Sequence, residues 1–316
     1  MKEPILEIKK LVITTKSGRQ LVQDINLTME QGEIVGIVGE SGSGKTISTR
    51  TIVNLLPQAL SFTADTFRVF GQDYLTMPAT EKRRLIGSCI GYVPQNTVYY
   101  LHPMLRIKNQ IADGYMLYGK VDKAKALDRA RELLHQVGIR DDERLLNSFP
   151  WQLSGGMRQR VNIAMAMLNG ARLIIADEPT TALDSTVQKQ VIDLFAQLNR
   201  ETGASILMIS HDLGLVRHYC QRILVMYAGQ ILEEGASDAV FAQPRHPYTR
   251  ALIRVIPSLN IHRGERLAEI PGHIPPAGTI AQGCLFRARC DCAGPECETG
   301  VEEHVLPHGH CYRCNR

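Results

Sequence analysis

The chain has 316 residues, 44% hydrophobic and 22% charged, the make-up of an ordinary globular protein of one large or two modest domains. A net charge of +4 without any dense Lys/Arg tract argues against a nucleic-acid or anionic-membrane binder. No apolar run reaches the ~18–20 residues of a membrane span, and no apolar core follows the opening MKEPILEIKK as in a secretion signal, so a cytoplasmic location is expected.

In chain order, Ile5 to Val12 and Gln20 to Leu27 carry short Ile/Val/Leu runs that predict strands. Glu33 to Gly39 is a near-continuous apolar run ending in glycine, which predicts a strand buried on both faces, as in a parallel sheet. A helix is predicted from Thr46 to Leu56. Another is predicted from Lys123 to Val137, where Ala126, Ala130, Leu133, Leu134 and Val137 recur at helical spacing. Arg172–Asp177 and Ser205–Ser210 predict two further buried strands, joined by a helix over 185–200. This alternation predicts an α/β domain with a mostly parallel sheet. After about residue 235 prolines become frequent, and six of the eight cysteines fall in the last 33 residues. Without a secretion signal, such clustering reads as metal ligation before disulfides.

Gly39-Glu40-Ser41-Gly42-Ser43-Gly44-Lys45-Thr46 fits GxxxxGK[ST] between a predicted strand and a predicted helix. Glycines let successive N–H groups converge on a phosphate, and the helix N-terminus adds partial positive charge. Lys45 is expected on the β- and γ-phosphates of a nucleotide, and the Thr46 hydroxyl on Mg²⁺. The strand ending in Asp177-Glu178 offers a carboxylate for the ion's water shell and a second one to polarise an attacking water. His211 follows the third strand, and a contact to the γ-phosphate or the water is expected of it.

Leu153-Ser154-Gly155-Gly156-Met157-Arg158-Gln159-Arg160 resembles the signature of ATP-binding-cassette (ABC) ATPases. The resemblance spans about residues 5–235. It implies an ABC-type phosphate-loop ATPase core, a mostly parallel sheet with an N-terminal antiparallel β part, and an inserted helical subdomain at about 96–160. It also implies ATP sandwiched between two cassettes, with Ser154, Gly155, Gly156 and Gln159 serving the partner's nucleotide. Asp184, in the loop Ala182-Leu183-Asp184, would lie at the dimer interface. Gln95 would ligate Mg²⁺ with Thr46 and Asp177 and act with Glu178 and His211 in catalysis.

His246-Pro247-Tyr248, Ile270-Pro271-Gly272 and the cysteines resemble the C-terminal extension of ATP-binding subunits of oligopeptide, dipeptide and nickel importers, here over 236–316. The resemblance implies a four-iron four-sulfur cluster on Cys284, Cys290, Cys297 and Cys311. Cys292 and Cys314 are surplus to that pattern. The Cys311-Tyr-Arg-Cys314 spacing keeps Zn²⁺ open, with His304, His308 or His310 as competing ligands, and free thiols are the third reading. Cys89 and Cys220 read as small buried hydrophobes.

The function so implied is the ATP-binding, ATP-hydrolysing subunit of an importer of peptides, with nickel or metallophore uptake, or a soluble non-transport ABC ATPase, as alternatives. Its partners would be a second cassette (a paralogue or a copy), two membrane permease subunits and an extracytoplasmic substrate-binding protein. Its place would be peripheral, on the cytoplasmic face of the inner membrane. The segment Asn96–Pro103 departs from the family run that faces the membrane subunit, and Trp151 before the signature suits packing and interface equally. The family also stacks adenine on an aromatic residue ahead of the phosphate loop, yet no Phe, Tyr or Trp precedes Phe62, and Thr14–Ser17 is polar. A missing stack is worth about 1 kcal/mol. ATP and GTP should therefore compete within roughly tenfold of one another in a binding assay; a preference for ATP of about a hundredfold overturns this.

Overall fold

The computed structural model describes residues 3–96, 100–181, 183–256, 269–276, 278–279 and 283–316. The chain forms two compact units, the first from residues 1–29, 34–73 and 209–316, the second from 30–33 and 74–208.

In the first unit β1 (Leu6–Thr15) and β2 (Gln20–Met29) pair antiparallel. With β4 (Leu60–Thr63), β5 (Thr66–Val69) and β6 (Gln72–Asp73) they make an antiparallel sheet, β2-β1-β5-β6, in which β4 also pairs with β1. Leu6, Ile8, Leu11 and Ile13 face the core. The two-residue alternation slips between Ile8 and Leu11, where the register shifts and Lys10 takes a φ of 50°. That bulge lets two exposed lysines sit side by side and returns Leu11 to the buried face.

The same unit carries β3 (Ile34–Val38), buried at every position and parallel to β10 (Arg222–Tyr227). β10 pairs with β11 (Gln230–Ala236), β11 with β13 (Cys311–Arg313), and β13 with β12 (Glu303–Val305), all antiparallel. The cysteine-rich region is thus stitched to the sheet by two short strands. The helix Leu213–Tyr219 lies directly on β3: a Cβ on Gly36 would sit 2.5 Å from Cγ1 of Val216 and 3.1 Å from the sulfur of Cys220. Burial pushes the Cys220 thiol up to about 12, in keeping with a packing role. The helix opened by the phosphate loop runs only from Lys45 to Ile52, short of the expected Leu56. Asn54 adopts a left-handed φ of 54° and the Leu55 N–H reaches back to the Arg50 carbonyl, a helix stop that ends the turn before Pro57.

In the second unit β7 (Ile90–Val93) runs parallel to β8 (Leu173–Asp177), with β9 (Ser205–Ser210) on the other side of β8. Every residue of β8 and β9 is buried, as their unbroken apolarity predicts. The predicted helix at 123 forms as Lys123–Gln136, capped by the Asp122 carboxylate on the Lys125 N–H, with Ala126, Ala130, Leu133 and Leu134 buried. Helix Ser185–Thr202 is capped by Asp184 on the Val187 N–H and ends at Gly203, whose φ is 69°.

An α/β fold with an antiparallel N-terminal sheet is therefore what the chain adopts. Among the described residues no helix is long and apolar enough to cross a membrane. Phe195 is 0% exposed on the apolar face of helix Ser185–Thr202. Phe195→Ala should lower unfolding stability by about 3–5 kcal/mol in chemical denaturation, and a loss below about 1 kcal/mol would contradict the packing described.

Candidate functional site

The loop Gly39–Thr46 joins β3 to the helix Lys45–Ile52, in the first unit. Gly39, Gly42 and Gly44 take φ values of 151°, 83° and 107°, conformations that L side chains rarely adopt. At Gly39 a Cβ would lie 2.1 Å from the Met226 carbonyl oxygen, so no side chain fits. Lys45 is 4% exposed and curls over the loop, its Nζ donating to the carbonyls of Gly39 at 2.8 Å and Glu40 at 2.9 Å. The Ser43 hydroxyl is buried without a hydrogen-bond partner, a polar group that an anion in the cradle would satisfy. Glu40 is held from outside the loop. Its N–H donates to the Tyr248 hydroxyl at 3.0 Å, and its carboxylate accepts both arms of Arg289 at 3.0 Å each. His211, exposed just after β9, precedes Asp212, which caps the helix Leu213–Tyr219 through the Leu215 N–H.

In the second unit the acidic pair stands at the end of β8. Asp177 is 0% exposed and accepts from the Tyr92 hydroxyl at 3.1 Å. Glu178 takes a left-handed φ of 46°, a strain held by contacts on its carboxylate. Gln95 Nε2 donates to Glu178 Oε2 at 2.9 Å, and the Thr181 hydroxyl donates to the same oxygen at 3.0 Å. The structure thus brings Gln95 and Glu178 together from the ends of two neighbouring strands. The Asp177 carboxylate and Gln95 carboxamide oxygen of this unit, and the Thr46 hydroxyl of the first, are each hard oxygen donors of the kind Mg²⁺ takes.

Ser154 caps the helix Gly155–Met167 by accepting from the Met157 N–H at 3.2 Å. Gly155 and Gly156 open that helix against the loop before helix Ser185–Thr202: a Cβ on Gly156 would meet Val187 at 3.0 Å, and one on Gly155 would meet Leu183 at 3.5 Å. Ser154 and Asp184 are exposed, but Gln159 is 1% exposed, on the inner side of its helix. Ala182 and residues 97–99 lie outside the described residues. The turn after β1 is polar, with the Thr15 and Ser17 hydroxyls bonded at 2.8 Å.

Of the cysteines, Cys284, Cys290, Cys297 and Cys314 border one pocket together with His246. Burial pushes the Cys284 thiol up to about 11, and the neighbouring Cys297, Cys314 and Cys290 add to the rise. Cys311 is elsewhere. It lies on β13 beside Glu234 and Glu303, with its Sγ toward the Gly309 carbonyl. Cys292 is exposed next to Asp291. The histidines named as zinc ligands are engaged apart from the pocket or lie in the turn after β12: His304 stacks on Tyr312, His310 bonds the buried Glu233 at 2.8 Å, and His308 sits at a φ of 65°. Among the described residues no group of three or more His, Cys, Asp or Glu is placed to hold a metal ion. His246 lines the same pocket. Burial drives its pKa down to about 3, its Nδ1 accepts from the Tyr248 N–H, and its Nε2 is buried without a partner. Nothing in the sequence signals that Arg289 and Tyr248 hold the phosphate loop or that Cys314, rather than Cys311, borders the cysteine pocket; Tyr248 and Cys314 lie in motifs already singled out, Arg289 in none.

A family profile described as ABC transporter matches residues 22–181, and one described as oligopeptide/dipeptide transporter, C-terminal region, matches residues 232–297. The chain is 41% identical to a probable peptide ABC transporter ATP-binding protein of Sinorhizobium fredii, over 92% of this chain and 88% of that one. It is 40% identical to a protein of Brucella melitensis biotype 1 named for peptide import ATP binding, over 100% and 98% of the two chains. Its fold is similar to that of the ATP-binding cassette MJ0796 in a dimeric post-hydrolysis state bound to ADP and Pi, with a TM-score of 0.65 and 28% identity over 73% of this chain and 98% of that one. It is also similar to cbiO1 of Clostridium perfringens, part of the transporter complex cbiONQ, with a TM-score of 0.66 and 25% identity over 77% and 92% of the two chains.

Proposed function

The chain belongs to the ABC transporter ATPases that carry an oligopeptide/dipeptide transporter C-terminal region, and from that premise we propose that it is the ATP-hydrolysing subunit of an importer that takes up peptides. The observation that carries the reading is the presence of both matched regions in one chain whose relatives named for peptide transport are aligned along almost its whole length. Residues 1–235 would be the cassette, with a helical subdomain at about 96–160, and residues 236–316 the extension. The working unit would pair this chain with a second cassette, a paralogue or a copy, under two permease subunits supplied by an extracytoplasmic binding protein. Its place would be peripheral, on the cytoplasmic face of the inner membrane.

At the nucleotide, the N–H groups of Gly39 to Thr46 would cradle the phosphates and Lys45 would swing from its two carbonyls to the β- and γ-phosphates. Thr46, Gln95 and Asp177 would hold Mg²⁺, which when bound neutralises phosphate charge. Glu178 would polarise the attacking water as general base, its carboxylate oriented by Gln95 and Thr181. His211 would contact the γ-phosphate. Ser154, Gly155 and Gly156 would present a hydroxyl and helix N–H groups to the partner's ATP, across an interface shared with Asp184. Gln159, being buried, would support the signature helix from within.

Replacing Glu178 removes the base and leaves the cradle in place. In the complex with its permease subunits, Glu178→Gln should keep Mg-ATP binding and lose at least about 10²-fold in hydrolysis; turnover at the parent rate would exclude Glu178 as the base.

For the extension we assign a four-iron four-sulfur cluster to Cys284, Cys290, Cys297 and Cys314. The shared pocket supports this set, with the unpartnered His246 Nε2 as a donor toward sulfur. When bound, the group would tie four chain segments together and supply one-electron chemistry. Anaerobically purified parent and Cys311→Ser should each carry about four irons and four sulfides per chain, and Cys314→Ser should lose most of both. Retention in Cys314→Ser with loss in Cys311→Ser would restore Cys311 to the set; zinc without iron in the parent would replace the cluster altogether.

A further inference from the structure

Glu40 is the second residue of the phosphate loop and brings a carboxylate into a loop built for a polyanion. Its countercharge comes from far along the chain. Arg289, between Cys284 and Cys290, meets it with two parallel contacts, Nη1 to Oε1 and Nη2 to Oε2, both at 3.0 Å. The Arg289 side chain is 4% exposed and that of Glu40 29%. Arg289 is itself fixed: Nε donates to the Pro271 carbonyl at 2.8 Å and Nη2 to the Ile270 carbonyl at 3.2 Å. Its guanidinium carbon lies 5.8 Å from the ring centre of Tyr227 and 5.9 Å from that of Phe286. Tyr248, 0% exposed on the helix Pro247–Arg254, takes the Glu40 N–H at 3.0 Å. Backbone and side chain of one loop residue are thus each gripped by a residue beyond 236.

A bidentate guanidinium–carboxylate pair fixes direction as well as charge, which a lysine would not do. Unpaired, the Glu40 carboxylate would repel a triphosphate a few ångströms away in a partly buried site. We infer that Arg289 is a positioning residue of the nucleotide site, which neutralises Glu40 and sets the phosphate loop, so that nucleotide affinity depends on the folded extension. This rests on the reading of Gly39–Thr46 as an ATP site.

The test titrates mant-ATP with Mg²⁺ into the purified full chain, with a thermal midpoint recorded for each variant. Arg289→Gln should bind about tenfold more weakly, a loss of about 1.4 kcal/mol. Adding Glu40→Gln, which removes the charge needing compensation, should recover at least threefold of that loss. In the reconstituted transporter the defect of Arg289→Gln should fall on KM for ATP rather than on kcat. Arg289→Met, which keeps the packing over the two rings, is read in its place where Arg289→Gln does not fold, with the same expectations. Parent-like affinity in the single variant, or a double variant as weak as the single, overturns the inference; the latter would make Arg289 a brace of the fold alone. A parent chain that fails to bind mant-ATP would instead overturn the reading of Gly39–Thr46.

Discussion

The first unit is organised around a close approach of backbone to backbone. The phosphate loop passes β10 so tightly that the position a Cβ would take on Gly39 is 2.1 Å from the Met226 carbonyl oxygen. In the turn that follows β10, Gly229 donates its N–H to the Ser43 carbonyl at 2.8 Å, and its own Cβ position is 2.4 Å from the Leu21 carbonyl oxygen. At Gly39 and Gly229 backbone meets backbone, while the Met226 and Val22 side chains pack against Gly44. Glycine is required for sterics at this junction. The rest of the unit, from the β3–β10 pairing to the helix Lys45–Ile52, is placed by that junction.

The second unit solves a different problem, holding two adjacent carboxylates in different surroundings. Asp177 closes β8 inside the protein with a tyrosine hydroxyl on one oxygen. Glu178, one residue on, turns out of the strand through a left-handed conformation that costs about 1–3 kcal/mol for a residue other than glycine. Two hydrogen bonds to one carboxylate oxygen, from Gln95 and Thr181, stabilise the turn. The geometry gives the two acids different surroundings, one fully enclosed and the other half-buried on an amide and a hydroxyl.

Much of this was legible in the residues. The unbroken apolar runs of β3, β8 and β9 announced burial on both faces, and the glycine spacing at 39–44 announced the cradle. What escaped sequence reading depended on distant partners. The helix after the loop was overextended because the stop lies in the backbone of Asn54, and asparagine is compatible with either outcome. The strands β12 and β13, three residues each, carry no periodicity of their own and exist because β11 offers them an edge. Cysteine spacing ranked Cys311 above Cys314, but β13 carries Cys311 to the acidic side of the sheet and delivers Cys314 to the pocket. Gln159, grouped in the sequence with the signature residues, lies on the buried face of its helix. Arg289 has no motif at all: its meaning lies in a carboxylate 249 positions away.

That separation also places the site in time. A ribosome adding about 5–20 residues per second needs roughly 12–50 s to cover the 249 positions between Glu40 and Arg289. During that interval the phosphate loop and both of its flanking elements have been synthesised, while the Glu40 carboxylate lacks its guanidinium and Tyr248 arrives only 208 positions after Glu40. The order of synthesis thus leaves the Glu40 carboxylate without its ionic partner until the segment that carries the cysteines has emerged.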